Sequence, residues 1–152
     1  MRTMRKDQVL LASAMLLLVA LPLAADEDEG LPEGPILDRH ELMEEIGGQA
    51  KKIGNALKSG DTEEIPAAAD TIRANAARML ALFPPDSVDP LSRAKPAIWE
   101  NWNEFEALAK DFEKSAAELA AAARTGGDVA VASKKMFHQC KTCHEGFRVP
   151  ED

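Results

Sequence analysis

The chain has 152 residues, room for one compact domain and little more. Hydrophobic residues make up 45% and charged residues 29%, with 9 Gly and 9 Pro, the balance of a globular chain and not of a disordered or collagenous one. A formal charge of −8 repels phosphate backbones and argues against nucleic acid as a partner, and two cysteines exclude the disulfide framework of a small secreted domain.

At the N-terminus, Arg2, Arg5 and Lys6 precede an apolar run from Val9 to Leu23 that ends in Leu23-Ala24-Ala25. Positive charge holds the start on the cytoplasmic side, the apolar run enters the export machinery, and small residues before Asp26 suit a signal peptidase. Residues 1–25 are therefore expected to be a cleaved signal peptide, and the mature protein to be periplasmic. An uncleaved anchor is the alternative, opposed by Pro22 and by a run short of the ~20 residues that a spanning helix needs. Cleavage removes three of the 18 basic residues and one of the 26 acidic ones, Asp7, so the mature charge falls to −10. Residues 26–35 are acidic, rich in Gly and Pro and without apolar periodicity, and read as a mobile leader with no chemistry. The folded domain is expected over 36–152.

Four helical stretches follow. Met43, Ile46, Ala50, Ile53 and Leu57 recur at three and four, which puts them on one face of a helix over roughly 38–58, with Asp38 as its N-cap and Glu41 completing a capping box. The series Ile65, Ala69, Ile72, Ala76, Met79 and Phe83 makes a second helix, stopped by Pro84-Pro85. The series Ile98, Trp102, Phe105, Ala109, Phe112, Ala116, Leu119 and Ala123 predicts one continuous third helix, ended by Gly126-Gly127. Asp128 caps a fourth, whose apolar face is Val129, Ala132, Met136, Cys140, Cys143 and Phe147, up to Pro150. No segment alternates like a strand, so the fold is all-α, an up-down-up-down antiparallel four-helix bundle.

Cys140-Lys141-Thr142-Cys143-His144 is the pattern that attaches a c-type haem. Positions i, i+3 and i+4 of a helix face one way, so two sulfurs reach the two vinyl groups of one porphyrin while the histidine presents a nitrogen to iron. The competing readings are a thioredoxin-like pair, which needs a strand-helix context, a zinc site, which needs a fourth ligand, and a plain short-range disulfide.

With this pentapeptide followed by Phe147-Arg148, with Ala94-Lys95-Pro96-Ala97-Ile98-Trp99 opening the third helix and Arg39 four residues before Met43 in the first, the chain resembles the class II cytochromes c, or cytochrome c′ family, over 36–149. The resemblance implies one covalent haem c with its iron, thioethers at Cys140 and Cys143, His144 as proximal ligand, and Arg39 and Arg148 near the haem edge or its propionates. Members often pair through their first two helices, so a homodimer is a further implied partner. The acidic leader has no place in the family pattern.

The sixth iron position decides between functions. In an up-down-up-down ring the first and fourth helices are antiparallel neighbours, so Met43, near the start of one, lies level with His144, near the end of the other. Met43 is expected to be the distal ligand; Met79, His40 and an empty position are the alternatives, and a core methionine is the plain reading. Trp99, Trp102 and Phe105 either wall the pocket or are ordinary core aromatics. Thioether–histidine ligation raises the potential and closes the iron, which suits an electron carrier. An open site suits binding of NO or CO. Enzymatic turnover is not expected, because a distal acid–base residue is lacking unless His40 serves. The negative charge points to a redox partner with a basic docking patch.

Overall fold

The computed structural model describes residues 30–31, 33–85 and 87–150; the expected signal peptide and residues 26–29 of the leader lie outside the described residues. Helix α1 spans Pro35–Ser59 and is entered through Gly34, whose φ of 89° only glycine adopts at little cost. Pro35 occupies the first helical turn, where its missing N–H is no loss and its fixed φ suits the helix. The helix thus begins three residues before the expected Asp38 cap. Asp38 lies inside the first turn, its N–H donating to the Gly34 carbonyl at 2.9 Å, and its charge complements the positive end of the helix dipole.

Helix α2, Ile65–Met79, buries Ile65, Ala69, Ile72, Ala76 and Met79 as expected. It does not stay α-helical to Phe83: a 3-10 turn, Leu80–Leu82, tightens its end, and Phe83 leaves the helix with its ring turned into the core. The third stretch is likewise two helices and not one. Helix α3, Ala97–Glu100, is a single turn, and α4, Trp102–Thr125, starts after Asn101, which leaves helical geometry at φ −123° and ψ 45°. Asn101 closes the short helix, its side-chain amide donating to the Ala97 carbonyl, and its own carbonyl accepts from the N–H groups of Glu104 and Phe105 in α4. The apolar spacing carries across this break, which is why periodicity alone did not reveal it. Gly126, at φ 71°, ends α4, and the Asp128 side chain caps α5, Val129–Phe147, by accepting from the Val131 N–H at 2.9 Å.

These helices form a four-helix bundle, with α3 as a short spur on the third member. Helix α1 packs on α2, α2 on α4 and α4 on α5, whereas α1 and α5 scarcely touch. Three seams are closely packed and the fourth, between α1 and α5, is sparse in contacts and in that sense open. Among the described residues no strand forms, the one extended pairing being an antiparallel bridge of Ala94 with Arg148, and no helix is long and apolar enough to cross a membrane.

Candidate haem site at the open seam

Cys140 lies two turns, and Cys143 and His144 about one turn, before the end of α5, and helical spacing puts all three on one side of it. Both cysteines are partly buried against the core, and His144 is exposed. The Cys140 Sγ–H points back to the Met136 carbonyl at 3.6 Å. Burial pushes both thiols up to about 11, for Cys140 against a small opposing effect of a backbone hydrogen bond, for Cys143 with a further push from Cys140. The two thiols are free and not joined to each other. Among the described residues there is no strand to make a thioredoxin-like context and no cluster of three or more His, Cys, Asp or Glu placed to hold a metal ion by themselves.

Across the seam, α1 presents a different stripe from the one expected. Its fully buried positions are Arg39, Leu42, Ile46 and Ile53, with Leu42 only 1% exposed. Sequence periodicity had missed Leu42. Centring the stripe on Leu42 shifts Met43, Ala50 and Leu57 to its shoulder, where they are partly buried and packed against the core. Glu45, two residues on and nearly opposite on the helix, accepts from the Asn75 side-chain amide of α2 at 2.8 Å, so Met43 lies on the side of α1 away from that contact. The rival methionines are sealed in the core, Met79 at 3% and Met136 at 0% exposure. His40 is partly buried beside Arg39.

Arg39 is 5% exposed, a buried guanidinium that donates to Ser87 Oγ at 3.1 Å, to the Ser87 carbonyl at 2.9 Å and to Ser92 Oγ at 2.8 Å. Its Cζ lies 5.1 Å from the Phe83 ring centroid and 5.9 Å from that of Trp99, a cation held among aromatics. Burial lowers its pKa, and Asp89 opposes the shift. Three of its five N–H donors are occupied by the segment between α2 and α3. Nothing in the sequence marked Ser87 and Ser92 as its partners, 48 and 53 positions away. Arg148 is partly buried on an extended backbone just past α5, its N–H donating to the His144 carbonyl at 3.1 Å.

The aromatic residues form a linked set. Phe105, 2% exposed, meets Phe83 edge-on at 4.8 Å and Phe147 at 5.3 Å, as part of the packed core. Trp99 and Trp102 are partly buried, and the Trp99 indole N–H donates to the Pro84 carbonyl at 2.9 Å.

The donor chemistry fits haem c. Two neutral thiols can each add S–H across a vinyl double bond, an imidazole follows on the same helical face, and α1, which carries the Met43 thioether, makes few contacts with α5. Comparison with known proteins agrees. A family model described as Cytochrome C′ matches residues 34–148. The chain is 33% identical over 123 residues to cytochrome c-556 of Agrobacterium tumefaciens (strain II Chrys), a match covering 76% of this chain and 98% of that protein. It is 30% identical over 151 residues to cytochrome c′ of Rhodospirillum rubrum, covering 95% of this chain and 99% of the relative. The crystal structure of cytochrome c′ from Thermochromatium tepidum superposes with a TM-score of 0.70 at 29% identity, over 82% of this chain and 98% of that one. Proteins of this family are periplasmic, carry covalent haem c with its iron, and work in electron transfer or gas binding. From the matched length and from the bundle that places its haem-attachment motif beside an open seam, the chain belongs to the cytochrome c′ family, the class II c-type cytochromes.

Proposed function

We propose that this protein is an exported monohaem c-type cytochrome that carries single electrons between periplasmic redox partners and turns over no substrate. Cys140 and Cys143 hold the haem as thioethers, His144 is the proximal ligand and Met43 the distal one. Bound there, haem c supplies a one-electron iron couple. What supports the reading is the offset of the α1 stripe: Met43 is only partly buried, at the shoulder of the stripe away from the Glu45–Asn75 contact with α2, while Met79 and Met136 are enclosed. A thioether at that position holds the sixth site against exogenous ligands and favours the reduced state. Arg148, at the end of the helix that carries His144, would offset propionate charge.

The test is the absorption spectrum of the mature protein expressed in the periplasm, ferric and ferrous, before and after carbon monoxide, beside Met43→Ala. The expected result is a low-spin spectrum with the weak near-infrared sulfur-to-iron band, indifferent to the gas until Met43 is removed. A high-spin spectrum that shifts at once with carbon monoxide would replace this reading with a five-coordinate cytochrome that binds NO or CO. The acidic balance of the chain favours partners bearing a basic patch, so electron-transfer association slows as salt rises; a rate independent of salt counts against such docking.

A further inference from the structure

The open seam raises a question of distance: if α1 and α5 scarcely touch, something else fixes how far apart they stand at the level of Met43 and His144. The N-terminus of α1 has no side-chain cap. Arg39, one helical turn before Met43, is the buried group that ties this end of α1 to another part of the chain, through Ser87 and Ser92. The segment that carries those serines is in turn sewn to the end of α5. The Lys95 N–H donates to the Phe147 carbonyl at 2.9 Å, the Val149 N–H to the Arg93 carbonyl at 2.8 Å, and the Lys95 ammonium to the Glu145 carbonyl at 3.0 Å. The chain of contacts therefore runs from α1 through Arg39 and residues 87–95 to the turn of α5 that follows His144.

We propose that Arg39 is a positioning residue: by fastening α1 to residues 87–92, and through them to the end of α5, it sets the width of the seam and so holds Met43 within reach of the iron. This rests on the reading of Met43 as distal ligand. A guanidinium suits the task where a lysine does not. Its planar fork meets two hydroxyls and a carbonyl together and stacks over Phe83 and Trp99, whereas an ammonium would lose the stacking and part of the fork.

The experiment compares the haem-loaded wild type with Arg39→Met, Arg39→Lys and the double variant Ser87→Ala/Ser92→Ala, all well below their melting temperatures, with folding checked by circular dichroism. The readouts are the ferric sulfur-to-iron band and the rate of carbon monoxide binding to the ferrous protein. Losing hydrogen bonds to a buried charge shifts a ligand-on to ligand-off equilibrium by about tenfold. The expected result is a weakened band and carbon monoxide binding about tenfold faster in Arg39→Met and in the serine pair, with Arg39→Lys between them and the wild type. Combining Arg39→Met with the serine pair should add little, as for groups in one network. Folded variants that keep the full band and the wild-type gas rate would overturn the proposal and leave Arg39 a stabilising residue only. If Arg39→Met does not fold, the serine pair decides alone, since it leaves α1 untouched. A wild type without the band refutes the ligation reading instead; the seam-width role then stands or falls on whether the variants change the carbon monoxide rate.

Discussion

Truncating Phe105 to alanine should be among the most damaging single changes in this bundle. The side chain is 2% exposed and joins α4 to both ends of the site: its ring meets Phe83, at the base of the Arg39 segment, and Phe147, one turn beyond His144. Removing a buried phenylalanine costs about 3–5 kcal/mol in lost burial and residual cavity. Each edge-on ring pair contributes about 0.5–1.5 kcal/mol of that beyond area alone. Phe105→Leu keeps most of the apolar volume and loses the two ring pairs, so its cost should be about 1–3 kcal/mol. The assay is urea unfolding of the haem-loaded protein, followed by far-UV circular dichroism and by haem absorbance. With a denaturant slope of about 2 kcal/mol per molar, the alanine variant should lose about 2 M of midpoint and the leucine variant about 1 M. The two probes should move together, because Phe147 shares the last turns of α5 with the haem-attachment residues. An alanine midpoint within about 0.3 M of the parent, or a leucine variant as damaged as alanine, would refute the claim that this ring cluster holds the site end together.

Three further outcomes follow from local geometry. Asp128→Ala removes the cap that accepts from Val131 and should cost about 1 kcal/mol, measured by the same unfolding assay, while Asp128→Asn should recover most of it. Trp99→Phe keeps the ring over Arg39 but removes the hydrogen bond to the Pro84 carbonyl, and should cost about 1 kcal/mol without changing the haem spectrum. In haem-free protein made in the cytoplasm, the buried thiols have folded-state pKa values raised from 9.0 to about 11, so folding favours their neutral form. Their contribution to stability is full below pH 9 and is lost as pH rises from 9 towards 11; haem-loaded protein, its sulfurs bound as thioethers, should lack that loss, and thermal melts across this range compare the two.

Much of this molecule is written in short-range pattern. The stripes of α2, α4 and α5 follow apolar spacing of three and four, and Asp128 and Gly126 mark their boundaries because capping chemistry is local. The attachment motif is legible for the same reason: its geometry is contained within five consecutive residues. What escaped was set by tertiary context. On α1, Met43 and Leu42 both fit an apolar stripe, and the choice of Leu42 as its centre is made by the packing of α1 on α2. The break at Asn101 preserves the apolar period on either side, so only the backbone reveals it. The start of α1 at Pro35 displaced a plausible cap at Asp38, since proline and glycine were already in place upstream. Arg39 found its partners in a segment with no periodicity at all, where chain distance hides proximity.

The one-residue offset between Leu42 and Met43 separates two selective pressures. Leu42 lies in the fully buried stripe, so a change there is felt through the whole α1–α2 contact. Met43 lies on the shoulder, only partly buried against the core, so a change there reaches less of that stripe. On the proposed ligation, a substitution at position 43 would change what the iron meets while leaving the buried stripe of Leu42, Ile46 and Ile53 in place. Ligand choice and scaffold packing then rest on adjacent residues of one helix, so the first can change without the second.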